Sequence, residues 1–262
     1  MYKVLIVWAT SWELKTIIKK IKELNFNNVK FDYLITWMWN YSSIFSLTKY
    51  LSKNNDIDFV INIWVCWYKN KYEKNFQVWR IKNLANKKEL IIPNFINFWK
   101  IESIASSENI VYDNQIIWEE NFVDMESFWI EYVLEKINIA RILLKIPVDK
   151  IWDETKNFDF EKAKKYLEEN IDYKTLIEKI INYLEKNKKD INNAYKYFEI
   201  LNLTESQKII FERLYNKYNV LVWEDFDEYL NNFLEKFNND KKTQKNDIKK
   251  FLNELDLFLE DK

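Results

Sequence analysis

The apolar positions of the first 150 residues fall into short runs separated by helical patterns. Residues 3–7 form a continuous apolar run and predict a strand buried on both faces. From Glu13 to Leu24 the spacing changes to Leu14, Ile17, Ile18, Ile21 and Leu24, one face of a helix. Short strands are expected near 28–31 and 33–36. A helix should cover Tyr41–Leu51, with Asn40 or Ser42 as its cap. Residues 58–63 read as a second deeply buried strand, followed by a turn at 64–67. Further strands are expected near 77–83, 88–92 and 101–104, with another ending at Val123. A helix over Glu126–Ile137 and a strand over Ala140–Ile146 complete this part. Such alternation predicts an α/β fold, a three-layer sandwich with a central mixed, largely parallel sheet. From about residue 158 only helical spacing remains: Phe160–Asn170, Tyr173–Lys186, Thr204–Tyr218, Trp223–Phe237 and Asn246–Leu259. Clusters of Asn and Lys at 186–193 and 238–246 read as linkers. The expected division is an α/β domain over 1–187 and an all-helical C-terminal extension over 188–262.

Composition adds an anomaly. The chain has twelve tryptophans and no glycine, where about eighteen glycines would be usual at about 7%. The tryptophans stand in turns after strand-like runs: Val7-Trp8-Ala9-Thr10-Ser11-Trp12, Thr36-Trp37-Met38-Trp39-Asn40 and Ile63-Trp64-Val65-Cys66-Trp67. That is glycine's place, because glycine supplies positive φ and close backbone approach. Lys, Asn, Ile, Phe and Tyr dominate, as in an AT-rich gene. The reading that follows is UGA recoding, with glycine in the native protein where tryptophan is written. Literal indoles at 8, 37, 39, 64 and 67 would crowd the carboxyl ends of the strands, where α/β proteins bind ligands.

A net charge of −1 gives no field for nucleic acid or an anionic membrane. No 18-residue apolar run appears, and Met1–Val7 enters a strand directly, unlike a signal peptide. Cys66 is the one cysteine, so no disulfide framework is expected and a cytoplasmic location fits. Without a histidine or an evident cationic neighbour, Cys66 reads as a small buried hydrophobe rather than a nucleophile. The chain has no histidine at all. That excludes Ser-His-Asp catalysis and histidine-ligated metals, and leaves acid–base work to carboxylates, Lys, Tyr or Cys66.

With glycine restored, the three turns become VGATSGEL, ITGMGN and NIGVCGY. Together with Val123-Asp124-Met125-Glu126-Ser127 and Ile146-Pro147-Val148-Asp149, they resemble the purine nucleoside phosphorylase superfamily. The nearest branch is that of methylthioadenosine/S-adenosylhomocysteine nucleosidase and futalosine hydrolase. The resemblance runs from residue 3 to about 187 and does not reach the extension.

It implies hydrolysis of the N-glycosidic bond of a purine nucleoside, with or without a 5′ modification, to base and ribose product. In that reading Asp149 is the general acid toward purine N7 and Glu13 orients the attacking water. Glu126 holds the ribose hydroxyls, and Met125 packs on the sugar. The backbone of Trp64, Val65, Cys66 and Trp67 lies against the substrate, with the base near Ile110 and Val111. No metal or organic cofactor is implied. A homodimer is implied by resemblance only. Ile146-Pro147-Val148-Asp149 departs from the family's serine–aspartate pattern.

A phosphorylase would need arginines and a hydroxyl to hold a phosphate dianion. Here the first turn offers Glu13, Asn62-Ile63 precedes the third turn, and Val65 stands in the place of the serine, so water is favoured as nucleophile. Phosphorolysis, and a non-catalytic nucleoside-binding or scaffold protein, stay open as rivals. So do plainer roles: Glu13 as a helix N-terminal carboxylate, Glu126 as a solvated junction residue, and Asp149 as a turn cap.

Overall fold

The computed structural model describes residues 1–36, 40–54, 56–70, 75–111, 119–151, 159–222, 226–235 and 245–260. The chain divides into two compact units, Met1–Leu184 and Glu185–Lys262. The first contains β1 (Tyr2–Trp8), α1 (Ser11–Glu23), β2 (Val29–Ile35), α2 (Asn40–Leu51), β3 (Phe59–Tyr68), β4 (Phe76–Asn83), β5 (Glu89–Ile91), β6 (Ile101–Ser106), β7 (Phe122–Asp124), α3 (Ser127–Ile137), β8 (Ala140–Lys150), α4 (Phe160–Glu169) and the start of α5 (Tyr173–Ile200).

Period-two alternation sorts β1 between two cores. Val4, Ile6 and Trp8 pack with Ile17 and Ile21 of α1, Ala163 and Leu167 of α4, and Leu176 and Ile180 of α5. Leu5 and Val7 pack on the other side with Leu47 and Leu51 of α2 and Ile130, Val133 and Leu134 of α3. Helices therefore cover both faces, which explains why β1, β3 and β8 are largely apolar.

The sheet is mixed, as expected, but it is not only the central layer of a sandwich. β1 pairs in parallel with β2 and β3, β3 with β8, β4 with β6, and β6 with β7. β7 runs antiparallel to β3, and β5 and β8 run antiparallel to β4. Followed round, β3–β7–β6–β4–β8 returns to β3. The mixed sheet thus closes into a small barrel, with β1 and β2 as an open wing. Closure needs a strand able to serve two neighbours, and β8, eleven residues long, pairs with both β3 and β4. Alternating α and β patterns reveal strands but not whether the outer ones meet.

Three local expectations also change. The strands expected at 28–31 and 33–36 are one strand, β2, in which Asp32 keeps its place in the ladder opposite Leu5 of β1. The segment 64–67, expected as a turn, is the extended end of β3, and strand β8 runs on past Ile146 to Lys150. The linker expected at 186–193 lies inside α5; the segment holds no Pro or Gly that would end the helix. Residues 236–244, most of the second linker, lie outside the described residues. Trp37 and Trp39 also lie outside them.

An acidic cluster at the amino edge gives a pH handle. Burial pushes the Asp32 carboxyl up, but the Tyr50 hydroxyl at 2.5 Å and the Lys3 ammonium at 3.1 Å outweigh it and hold it below the usual range. Burial and the same carboxylate push Tyr50 up to about 12. A carboxylate depressed in the folded state stabilises the fold above its unfolded pKa, near about 3.9. That contribution is lost as pH falls through the folded value. Asp32→Asn should lower the urea midpoint at neutral pH and flatten its decline below about pH 4. An unchanged acid limb in urea melts would remove Asp32 from the acid response.

In the second unit, α6 (Glu205–Leu221), α7 (Phe226–Glu235) and α8 (Lys245–Glu260) follow the end of α5. Its own core gathers Tyr197, Phe211, Leu214, Tyr218, Phe226, Phe251 and Leu255. A capping box at Thr204 and Gln207 starts α6. Among the described residues no helix is long and apolar enough to cross a membrane.

Candidate active site

The carboxyl ends of β3 and β8 and the β7–α3 junction meet on one side of the barrel. The register places Trp67 opposite Val123 of β7 and Asp149 of β8. Asp149, Trp67 and Val123 therefore form one row across three strands, with Asp149 and Val123 about 10 Å apart at two strand spacings. Met125 and Glu126 follow immediately after β7, both buried.

A register shift presents Asp149. Cys66 faces Pro147, but Trp67 faces Asp149, which leaves Val148 as the extra residue of a bulge. Proline has no N–H for the ladder, so an interruption directly after Pro147 is where it is expected. The bulge re-aims the next side chain. Asp149 is buried, and its Oδ1 accepts from the Lys162 ammonium of α4 at 3.0 Å.

Glu126 is the N-cap residue of α3, and one of its carboxylate oxygens accepts from the Met125 N–H at 3.3 Å. An acidic group there complements the positive end of the helix. Asp124 lies one layer deeper. Its carboxylate takes hydrogen bonds from the Ser127 hydroxyl and N–H and forms an ion pair with Lys145 at 2.8 Å. Lys145 is fully buried and also donates to Asn62 Oδ1 at 3.1 Å, while Asn62 donates to the Val7 carbonyl at 3.2 Å. This network ties β1, β3, β8 and β7 together beneath the Met125–Glu126 junction.

The other expected residues divide. Val111 is buried with Val123 and Ile151, and half-buried Trp67 packs against that cluster. Ile110 points outward, 39% exposed. Trp64 and Val65 join the core that holds Ile146 and Val148. Cys66 turns into a different core with Phe76, Phe122 and Phe128, so only its backbone remains available. Burial pushes its thiol well up, away from the reactive thiolate. Glu13 lies in the first turn of α1; its side chain is outside the described residues. A groove between α1 and α4, lined by Lys15, Lys19, Lys20, Glu23 and Glu168, shares no residue with this cluster.

The written tryptophans fit here poorly. Trp8 is completely buried, and the indole N–H groups of Trp8 and Trp67 are buried with no hydrogen-bond partner among the described residues. Each such group costs about 1–3 kcal/mol. The described left-handed positions are Asn25, Lys87, Asn138 and Asn202, and none is a tryptophan.

Lys145 and Lys162 have no place in the sequence reading, and Asn62 and Ser127 enter it only within motifs, with no role of their own. Lys145 and Asn62 each interrupt an apolar strand, Leu143-Leu144-Lys145-Ile146 and Val60-Ile61-Asn62-Ile63. A polar group in a run buried on both faces requires a partner, and that signal was available. Lys162 sits in an exposed-looking Lys-rich stretch that gives no such signal.

No family model and no curated protein matches the sequence. Solved structures do match the fold. A nucleosidase (MTAN) of Chlamydia trachomatis bound to MTA is 20% identical, with a TM-score of 0.55, covering 68% of this chain and 100% of that one. The 5′-methylthioadenosine/S-adenosylhomocysteine nucleosidase of Helicobacter pylori, bound to butyl-thio-DADMe-Immucillin-A, is 12% identical over 65% of this chain and 93% of its own, with a TM-score of 0.54. A futalosine hydrolase mutant of the same organism is 12% identical over 65% and 94%, with a TM-score of 0.55. The chain shares the fold of these structures over about two thirds of its length.

Proposed function

We propose that this chain is an N-ribosyl purine nucleosidase, hydrolysing the glycosidic bond of a purine nucleoside to free base and ribose product. The observation that carries the reading is the row Asp149–Trp67–Val123, with Glu126 at the head of α3, in a fold shared with nucleosidases that bind methylthioadenosine-like ligands. The leaving base needs a proton, the ribosyl cation-like transition state needs a grip on the sugar, and water must be held at the anomeric carbon. Asp149 supplies the proton to purine N7. Glu126 binds the ribose hydroxyls, Met125 packs on the sugar and Glu13 orients the water. The strand end 64–67 offers backbone to the substrate, and Val111 offers an apolar wall for the base. No cofactor is required.

The same reading takes residues 1–187 as the catalytic domain on a largely parallel sheet, and 188–262 as an all-helical extension. It takes the protein as a cytoplasmic homodimer. It also takes glycine as the native residue at 8, 64 and 67. The two partnerless buried indoles support this, because buried polar groups are almost always paired.

One experiment tests the whole. The gene is expressed twice, with UGA read as glycine and as tryptophan, and each product is incubated in phosphate-free buffer with methylthioadenosine, adenosylhomocysteine, inosine and futalosine. Base release by the glycine form, without phosphate, is the expected result. Release from none of the four would overturn the reading in favour of a non-catalytic binding protein. Release only with phosphate would replace hydrolysis by phosphorolysis.

A further inference from the structure

Lys162 stands where helix chemistry disfavours it. Asp159 caps α4, accepting from the backbone N–H groups of Glu161 and Lys162 at 3.0 Å each. Lys162 is therefore the third helical residue, where a capping box would carry Glu or Gln and where the positive end of the helix repels a cation. The stabilising contact is outside the helix: its ammonium lies 3.0 Å from Asp149 Oδ1, with the lysine side chain 35% exposed and the carboxylate 4%. The adjacent Ala163 is wholly buried, and with Leu167 it joins the core that holds Ile146 and Val148 of β8. The helix that carries Lys162 is thus keyed into the strand that carries Asp149. A residue that violates its local preference in a well-packed frame marks a functional constraint.

We propose that Lys162 is the positioning residue of Asp149, fixing its carboxyl and setting the pH at which it can serve as an acid. This rests on the nucleosidase reading. Burial of Asp149 favours the neutral acid, and an ammonium at 3.0 Å favours the carboxylate. Removing the ammonium removes the second effect. Beside this pair, β3 carries the ionisable Cys66 and Tyr68, β8 carries Arg141, Lys145 and Lys150, and α4 carries Glu161, Lys164, Lys165, Tyr166, Glu168 and Glu169. Lys145 is already engaged by Asp124. In the reaction, protonated Asp149 gives its proton to the base nitrogen as the glycosidic electron pair passes to the base. The attacking water releases a proton to solvent, and Lys162 keeps its own.

The test uses the full chain labelled with ¹³C in aspartate carboxyls, with Asp149→Asn to assign the resonance. Titration of the parent, Lys162→Met and Lys162→Arg is compared with the pH profile of kcat/KM for base release. Lys162→Met should raise the Asp149 midpoint by about one unit or more, and the alkaline limb of kcat/KM should move up with it. Lys162→Arg should keep both near the parental position. An equal midpoint in parent and Lys162→Met overturns the proposal, whatever the activity. A shifted midpoint with an unmoved alkaline limb overturns the catalytic role. A shifted midpoint in a parent that releases no base overturns the nucleosidase reading instead, and leaves the control of Asp149 by Lys162 standing.

Discussion

Asp149→Asn is expected to slow base release by about 10²–10⁴-fold, the usual worth of a general acid. The substitution keeps the size of the side chain, and its carbonyl oxygen can still accept from Lys162, as the carboxylate does at 3.0 Å. What it removes is the transferable proton. The loss should therefore fall on kcat, with nucleoside affinity little changed, because a proton passed only in the transition state does not contribute to ground-state binding. Thermal melts of parent and variant serve as the folding control. Parental kcat in a folded Asp149→Asn protein would rule Asp149 out as the acid. Loss of affinity with kcat intact would assign it to binding.

Lys145→Met is expected to cost about 3–5 kcal/mol of stability, since it leaves a buried carboxylate without its counter-ion. Lys145 is completely buried, its ammonium 2.8 Å from Asp124 and 3.1 Å from Asn62. Asp124 in turn holds the start of α3 through Ser127. The single variant should lower the urea midpoint sharply and loosen the Met125–Glu126 junction. Adding Asp124→Asn should recover part of the loss, because the amide can still serve Ser127 without carrying a buried charge. Urea melts of the parent, both single variants and the double variant form the cycle. Additive losses in that cycle would show that the two side chains are not coupled.

Part of the candidate site is legible in the sequence. Asp149, Glu126 and Met125 lie at strand ends, and a motif with a fixed order along a β/α pattern brings strand ends together without knowledge of any contact. Cys66 was legible for another reason: a lone cysteine with no cationic neighbour is expected to behave as a hydrophobe, and the structure buries it with Phe76 and Phe128. Lys162 was not legible. Between it and Asp149 the chain passes through residues 152–158, and a Lys-rich helix looks solvated until the helix has been docked.

Local chemistry therefore determined most of the strands and helices, though not where each one ends, and which residue types could carry acid–base work in a chain without histidine. Hydrophobic period and turn composition depend on neighbours a few residues away, so they can be read from the chain itself. The tertiary structure alone decided that β8 pairs with both β3 and β4 to close the barrel, that a bulge after Pro147 turns Asp149, and that Lys145 and Lys162 find their carboxylates. Each of these is a pairing between distant residues. Its free energy comes from register, burial and charge acting across space, which the order of residues constrains but does not display.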